Sequence, residues 1–301
     1  MRLIDLAILA LTPLTHAANI ILSNDDGWAE LNIRTFYTSL KTAGNNALIS
    51  APARDGSGTG SADVPATPLL FTGCEFDSCP RGSPAEGFNA SDPGLNYVNS
   101  FPVTAMKYGI KTLAPKLFNG GAVDVAVTGP NVGVNTGTLF VQFSGTVGAA
   151  TEAVKEGIPA IAFSGTTGDK IAWNVPAPPY VGIYADLATN VTDTLLASSK
   201  PYLPTNVWLN VNFGAVGDTT CTQAADFRFV LTRIGTAVPV FTPDDVETCG
   251  KKRLPREEDV VKMAGCYASV SVGKADSKAD AGAAEQGVVL GKLGGLLTCL
   301  P

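Results

Sequence analysis

Two adjacent carboxylates, Asp25 and Asp26, are the residues of this sequence best suited to chemistry. They follow a short apolar run, Ile20 to Leu22, which predicts a buried strand of a parallel sheet. Neighbouring carboxylates repel each other unless positive charge or water lies between them. A divalent cation such as Mg²⁺ would relieve that repulsion, because it prefers oxygen ligands. The alternative is that the segment from Asn24 to Gly27 is an ordinary turn.

Two further loops follow predicted strands and would meet the aspartates at one edge of the sheet. Ser57 lies in a glycine- and serine-rich loop after the strand of residues 47–51, and Asn131 follows the strand of residues 123–129. The side chain of Asn131 offers an amide oxygen to a hard cation. A flexible connector at Ser57 and a left-handed turn at Asn131 are the alternative explanations.

The sequence Ser144-Gly145-Thr146 opens a predicted helix that runs to residue 156. Ser144 is a good N-cap residue, and free N–H groups and hydroxyls at a helix start can bind an anion. An ordinary capped helix is the alternative. Glycine inside a helix costs about 0.5–1 kcal/mol relative to alanine. Gly145 and Gly148 therefore indicate that a ligand or another element approaches closely.

The elements that position these residues alternate between strand and helix. Apolar residues at Ile33, Phe36, Tyr37 and Leu40 predict a helix that ends at Gly44. Further helices are expected over residues 103–113 and 180–197, and further strands over residues 159–164, 207–211, 227–232 and 267–272. This alternation predicts an α/β fold with a mainly parallel sheet.

Residues 19–301 are expected to form a single domain. Within it, residues 62–101 are predicted to be an irregular insertion with a β-hairpin around residues 68–71. Residues 236–301 are predicted to be an extended C-terminal arm and tail. The tail should have little structure from Lys274 until Cys299 anchors its end.

The composition limits the classes of partner. Hydrophobic residues make up 45% of the 301-residue chain and charged residues 16%, which is typical of a globular protein. The net charge of −6 disfavours nucleic acid or an anionic membrane as the main partner. A small anionic substrate remains compatible with this charge, because a bound metal can reverse the local charge.

Residues 1–18 resemble a secretory signal peptide. Arg2 precedes an apolar stretch from Leu6 to Leu14, and Thr15-His16-Ala17 offers a small-residue cleavage site. Asp5 is unusual in such a segment, and an uncleaved N-terminal helix is the alternative. No other stretch approaches the roughly 18 apolar residues of a membrane span. We therefore expect a secreted protein.

Six cysteines and two glycosylation sequons agree with secretion. Cys74 and Cys79 are close enough in sequence to form a disulfide, and the remaining pairing is open. The sequons begin at Asn89 and Asn190. The only histidine is His16, inside the predicted signal, so the mature protein would lack Ser-His-Asp chemistry and histidine-ligated zinc.

Four motifs in register resemble the SurE family of survival-protein phosphatases. They are Asn24-Asp25-Asp26-Gly27, Ala51-Pro52 with Ser57-Gly58, Thr128 to Asn135, and Ser144 to Ala150 with Gly157-Ile158-Pro159-Ala160-Ile161. The resemblance implies a Rossmann-like three-layer α/β/α fold with a mainly parallel sheet, here extended by a β-rich C-terminal part. It also implies hydrolysis of nucleoside monophosphates and other phosphomonoesters with a divalent cation, and assembly into dimers or tetramers.

The resemblance carries the metal ligands over to Asp25, Asp26, Ser57 and Asn131. Departures from the family pattern occur nearby. The family usually has Pro-Gly where this chain has Leu31-Asn32, Tyr where it has Phe143 and Gln where it has Gly56. None of these departures removes a predicted metal ligand, although they alter residues that could contact substrate.

These observations predict a metal-dependent phosphomonoester hydrolase of the acid phosphatase or 5'(3')-nucleotidase type, using Mg²⁺ or Mn²⁺. Asp26 is the candidate to orient the attacking water, and Asp25 could exchange roles with it. The residues expected to bind substrate are Asn131, Asn135, Ser144, Gly145 and Thr146. A secreted protein of the same fold that binds without turnover is the alternative. A nucleotide-binding oxidoreductase would need Gly-x-Gly-x-x-Gly where this chain has Asn-Asp-Asp-Gly.

Overall fold

A single nine-stranded sheet organises residues 17–301, the part of the chain that the computed structural model describes. The strands are β1 (Asn19–Ser23), β2 (Asn46–Pro52), β3 (Glu86–Asn89), β4 (Asp92–Val98), β5 (Val125–Val132), β6 (Ala160–Gly165), β7 (Val207–Phe213), β8 (Arg228–Thr232) and β9 (Tyr267–Lys274). Their order across the sheet is β3-β4-β2-β1-β5-β6-β7-β9-β8. The first strand of the chain therefore lies in the interior of the sheet.

The sheet is mainly parallel, as the sequence predicts. All neighbours from β4 to β7 run parallel, and β1 pairs with β2 on one side and β5 on the other. The antiparallel pairs are β3 with β4 and β7 with β9. Because the interior strands are parallel, their carboxyl ends all open at one edge of the sheet.

Helices cover both faces. They are α1 (Leu31–Thr42), α2 (Pro102–Tyr108), α3 (Ala114–Leu117), α4 (Gly137–Phe143), α5 (Gly145–Lys155), α6 (Pro179–Leu196), α7 (Glu257–Lys262) and α8 (Ala283–Leu293). A π-helical turn, Gly109–Leu113, joins α2 to α3. Helices α1, α6 and α8 pack together on one face, and α2 and α5 pack together on the other. This is the predicted three-layer arrangement.

Alternation along β1 divides the core between the two faces. Ile20 and Leu22 belong to the larger apolar cluster, which includes Phe36 of α1 and Leu187 of α6. Ile21 belongs to the second cluster, on the α2 and α5 face. A strand that is apolar on both faces must be buried on both, so the prediction of a buried strand over the run from Ile20 to Leu22 is confirmed.

The C-terminal part adds both strands and helices. Strands β8 and β9 extend the sheet, and a helix over Ala283–Leu293 packs against α6 and β9. The prediction of weak structure between Lys274 and Cys299 is therefore wrong. Although that segment is rich in alanine and glycine, Val289 and Leu293 are fully buried and anchor the helix.

The predicted hairpin around residues 68–71 is also wrong. Those residues lie outside any strand, and the hairpin is formed by β3 and β4. Moreover, β4 pairs in parallel with β2, Ile49 opposite Leu95, so the last part of the 62–101 segment belongs to the main sheet. The many Pro, Gly and Asn residues there masked a strand whose apolar residues begin only at Leu95.

Three disulfides join the six cysteines. They link Cys74 with Cys79, Cys221 with Cys266, and Cys249 with Cys299. The first pair confirms the prediction. Of the two sequon asparagines, Asn190 is exposed on α6 and Asn89 is partly exposed at the end of β3. Both remain predicted glycosylation sites.

Most of the predicted signal peptide lies outside the described residues. Within residues 17–301, the helices are all too short or too polar to cross a membrane.

Candidate active site

The predicted site residues gather at the edge where the parallel strands end. Asp25 and Asp26 follow β1, Ser57 lies in the loop after β2, and Asn131 is the next-to-last residue of β5. Thr146, at the start of α5, joins two of these positions because its hydroxyl contacts both Asp25 and Asn131. The structure therefore brings the predicted loops to one edge of the sheet, and their role as a site stays a prediction.

Asp25 is held by the start of α5. Its Oδ2 accepts a hydrogen bond of 3.1 Å from the backbone N–H of Gly145, and its Oδ1 accepts one from the Thr146 hydroxyl. The positive end of a helix dipole stabilises a carboxylate at this place. Burial nevertheless dominates and raises the pKa of Asp25, and the bonds from Thr146 oppose that rise.

Asp26 has one satisfied oxygen and one that forms no hydrogen bond. The backbone N–H of Val132 donates to its Oδ2 at 2.8 Å. Its Oδ1 is buried without a hydrogen bond and has only the Lys170 ammonium at 3.3 Å. Burial, and secondly the neighbouring Asp25, raise the pKa of Asp26 to about 7. This carboxyl is poorly stabilised as an anion unless more positive charge arrives.

The donor atoms fit a hard divalent cation. The amide Nδ2 of Asn131 donates to the carbonyl oxygen of Gly133 at 2.6 Å, and Asn131 Oδ1 lies 3.4 Å from the Thr146 hydroxyl, which also donates to Asp25. Within residues 17–301, no group of three or more His, Cys, Asp or Glu side chains is arranged to hold a metal ion. The candidate set has only two carboxylates, Asp25 and Asp26, and its other donors are neutral oxygens, which Mg²⁺ and Mn²⁺ accept.

Ser57 reaches the aspartate pair only through a lysine. Lys170 donates to Ser57 Oγ at 2.9 Å and forms ion pairs with Asp55 at 2.6 Å and Asp26 at 3.3 Å. The N–H of Ser57 donates to Asp55, which fixes the loop. Ser57 is exposed, and its hydroxyl accepts a hydrogen bond from Lys170 and forms none with Asp25 or Asp26.

The predicted substrate-binding residues lie in two positions. Ser144 caps α5, because its Oγ accepts a bond of 3.1 Å from the N–H of Val147, and this confirms the N-cap prediction. Asn135 is also buried, and its amide donates to Ser164 Oγ at 2.9 Å while its N–H donates to Asn212 Oδ1 at 2.8 Å. Gly145 and Thr146 direct donors at Asp25, as described above.

The two helix glycines are explained by other elements of the protein. A Cβ on Gly145 would lie 2.9 Å from the Cβ of Asp25, and a Cβ on Gly148 would lie 1.9 Å from the carbonyl oxygen of Gly60. Glycine at both positions lets α5 approach β1 and the Ser57 loop. The helix start can reach Asp25 only because of this close packing.

Two charged residues of the site were not predicted. Glu30 is buried, and its Oε2 caps α1 by accepting from the N–H of Asn32 at 2.6 Å, while its Oε1 has no hydrogen-bond partner. Burial, followed by the charge of Asp26, raises the pKa of Glu30 to about 8. Glu at an N-cap is not a usual signal. Lys170 gave no sequence signal, because its role depends on a contact across three loops.

Comparisons with known proteins agree with this fold. Residues 20–238 match the model of the family described as survival protein SurE. An acid phosphatase from Yarrowia lipolytica is 35% identical over 283 residues, covering 85% of this chain and 79% of that protein. A 5'-nucleotidase SurE from Desulfitobacterium hafniense is 31% identical over 212 residues, covering 70% of this chain and 75% of that protein.

The fold also matches a solved structure. A SurE protein from Aquifex aeolicus superposes with a TM-score of 0.58 at 21% identity, covering 86% of this chain and 94% of that one. The fold and the strand-end carboxylates define a Rossmann-like α/β protein with an acidic ligand site. The family match, which covers most of the sequence, then places it plainly: the chain belongs to the SurE family.

Proposed function

We propose that this protein hydrolyses small phosphate monoesters with the help of a divalent cation. The observation that carries the proposal is the pair of adjacent buried carboxylates, Asp25 and Asp26, one of whose oxygens has no hydrogen bond. The Lys170 ammonium lies 3.3 Å from this oxygen, and a divalent cation would stabilise the charged pair further. The resemblance to the SurE family implies a divalent cation, and the similar proteins are named acid phosphatase and 5'-nucleotidase SurE.

Asp25, Asp26 and Asn131 would hold the cation, with Ser57 close by. When bound, Mg²⁺ or Mn²⁺ would polarise a phosphoryl oxygen and offset the charge that develops on it. Asp26, whose Oδ1 has no hydrogen bond, is the candidate that would orient the attacking water. Asp25 is fixed by α5, so it positions the cation more than it moves a proton.

The start of α5 would receive the phosphate. Ser144 accepts from Val147 and keeps its own hydroxyl hydrogen for a phosphate oxygen. Pre-aligned donors of this kind stabilise charge that appears in a transition state. Nucleoside monophosphates are the substrate class that the name 5'-nucleotidase suggests, and other small phosphate esters agree with the name acid phosphatase. Secretion and assembly into dimers or tetramers are proposed on the signal-like leader and the family resemblance.

The deciding experiment measures hydrolysis of an aryl phosphate by the purified protein in EDTA, and again after Mg²⁺ or Mn²⁺ is restored. The Asp25→Ala variant is assayed beside it. Turnover that needs the cation and disappears in the variant would support the proposal. A folded protein that hydrolyses neither the aryl phosphate nor any nucleotide with any cation would instead favour a binding protein without turnover.

A further inference from the structure

Lys170 lies where the loops of the candidate site meet. It follows β6 in the loop that leads to α6, and its side chain is 28% exposed. Its ammonium lies 3.3 Å from Asp26, 2.6 Å from Asp55 and 2.9 Å from the hydroxyl of Ser57. One cation thus contacts groups from two other loops.

The backbone around Lys170 is fixed independently of these contacts. The N–H of Leu31 donates to the carbonyl oxygen of Ile171 at 3.0 Å, and the N–H of Trp173 donates to Ala29 at 3.0 Å. These bonds form a short antiparallel bridge between the segment after the aspartate pair and the loop that carries Lys170. The lysine is therefore delivered to the site by the fold, and its ammonium need not hold the loop in place.

The charges around Lys170 are unbalanced. Asp25, Asp26 and Asp55 supply three carboxylates. Within residues 17–301, the aspartate pair Asp25 and Asp26 forms a single ion pair, the one between Asp26 and Lys170. A divalent cation at the aspartate pair would compete with the ammonium for the Oδ1 of Asp26, and the two positive charges would repel each other. Asp55, 42% exposed at its side chain, would still hold the ammonium at the mouth of the site.

We propose that Lys170 is a phosphate-binding residue that gives up Asp26 to the divalent cation and then contacts the phosphate group of the substrate. This inference rests on the proposed function. A phosphate monoester carries up to two negative charges, and a second cation beside the metal would offset part of that charge. Lys170 also accounts for Ser57, whose hydroxyl would guide the ammonium between its two positions.

The proposal makes two equilibrium constants move in opposite directions. We would measure the dissociation constant of Mn²⁺ alone by calorimetry, and that of inorganic phosphate in saturating Mn²⁺, for the full chain and for Lys170→Met. Mn²⁺ should bind about threefold to tenfold more tightly, because its competitor is gone. Phosphate should bind about tenfold or more weakly, because a charge-assisted hydrogen bond is lost.

Two further variants control the experiment. Lys170→Arg keeps the charge and should keep most phosphate affinity. Lys200→Met removes an exposed ion pair with Asp124, before β5 at the opposite edge of the sheet, and should change neither constant. Thermal melting checks that each variant is folded.

Three outcomes would overturn the inference. If Lys170→Met weakens Mn²⁺ and phosphate binding together and melts at a lower temperature, the lysine is structural. If phosphate affinity stays unchanged while the unaltered protein remains an active phosphatase, the lysine does not bind substrate, and the proposed function survives. If the unaltered protein neither binds Mn²⁺ nor turns over, the proposed function fails first and this inference with it.

Discussion

Two buried carboxylic acids, Asp26 and Glu257, differ in how completely the protein surrounds them. Both are fully buried, and burial is the main cause that raises the pKa of Asp26 to about 7 and that of Glu257 to about 8. Both oxygens of Glu257 accept hydrogen bonds, from the N–H of Gly137 at 2.8 Å and from the amide of Asn210 at 2.9 Å. Asp26 has another carboxylate beside it, and its Oδ1 forms no hydrogen bond and has only the Lys170 ammonium at 3.3 Å.

The difference separates a structural acid from a site that needs a ligand. Glu257 joins α7 to the start of α4 and to β7, so the C-terminal part is tied to the loop that carries Asn135. Its environment is complete without any added molecule. Asp26 lies at the open edge of the sheet and is incomplete. Buried oxygens normally accept a hydrogen bond, so a carboxylate oxygen without one at a strand end indicates function.

The largest effect is expected at Asp26. Asp26→Asn should lower the rate of cation-dependent hydrolysis by at least about 100-fold, because a ligand charge is lost. The same change should raise the free energy of unfolding in EDTA at pH 8 by about 1–2 kcal/mol, since a disfavoured buried charge is removed. Aryl phosphate assays and urea unfolding measure the two quantities.

The matched control is Glu257→Gln, which neutralises an equally buried carboxyl away from the cation. It should leave cation affinity within about twofold of the original value. If Asp26→Asn lowered the free energy of unfolding in EDTA, Asp26 would be a structural acid like Glu257, and the distinction between the two acids would be wrong.

Removal of the Glu257 carboxyl should instead lower the stability of the protein. Glu257→Ala leaves the N–H of Gly137 and the amide of Asn210 without their acceptor in the core. We expect the free energy of unfolding to fall by about 2–5 kcal/mol. Urea unfolding followed by circular dichroism measures this. A loss below about 0.5 kcal/mol would mean that water replaces the carboxylate.

The dependence of stability on pH should distinguish the two acids again. A carboxyl whose pKa is raised by folding holds its proton longer in the folded state, so its contribution is complete below the unfolded pKa and is lost as pH rises. For Glu257 the loss spans from about 4.5 to about 8, and for Asp26 from 3.8 to about 7. Unfolding midpoints at pH 5, 6.5 and 8 would reveal both losses.

Mn²⁺ should suppress only the part that belongs to Asp26, because the cation favours its charged form. Glu257→Gln should suppress only the other part. If saturating Mn²⁺ left the pH dependence of the midpoint unchanged, Asp26 would not be a ligand.

The smallest effect concerns Ser144, whose hydroxyl caps a helix and is also proposed to bind phosphate. Ser144→Ala should cost about 1 kcal/mol of stability through the lost cap, whereas Ser144→Gly should cost only a few tenths. If the hydroxyl binds phosphate, both variants should raise KM alike. If KM instead rose only in Ser144→Ala, the less stable variant, we would conclude that Ser144 caps the helix and does not bind phosphate.

Much of the sheet edge that carries the candidate site could be predicted, because the sequence patterns that indicate its strands and helices are local. The run Ile20 to Leu22 with Asp25 and Asp26, and the apolar face from Ile33 to Leu40, depend on neighbours a few residues away, and both are confirmed as strand and helix. The cap at Ser144 is similar. The ligand set and the substrate contacts stay predictions, since they concern molecules outside the chain.

The missed features depend on distant partners. The helix over Ala283–Leu293 is weakly amphipathic in sequence and is decided by its packing on α6. Glu257 looks like any acidic residue of a charged segment until α7 buries it under Gly137 and Asn210. Lys170 is one of many exposed-looking lysines, and only the bridge to the segment after Asp26 brings it to the site.

The interior position of β1 has a consequence for how the chain folds. Asn19 contacts Asp124, 105 residues later, and β1 pairs with β5 along its length. During synthesis β1 is made early, but one of its edges stays unpaired until β5 has emerged, so an apolar strand waits with open hydrogen-bonding groups. Asp25 meets the start of α5 only after that step. Cation affinity at the aspartates should therefore appear late in refolding, which makes it a reporter of completed assembly of the sheet.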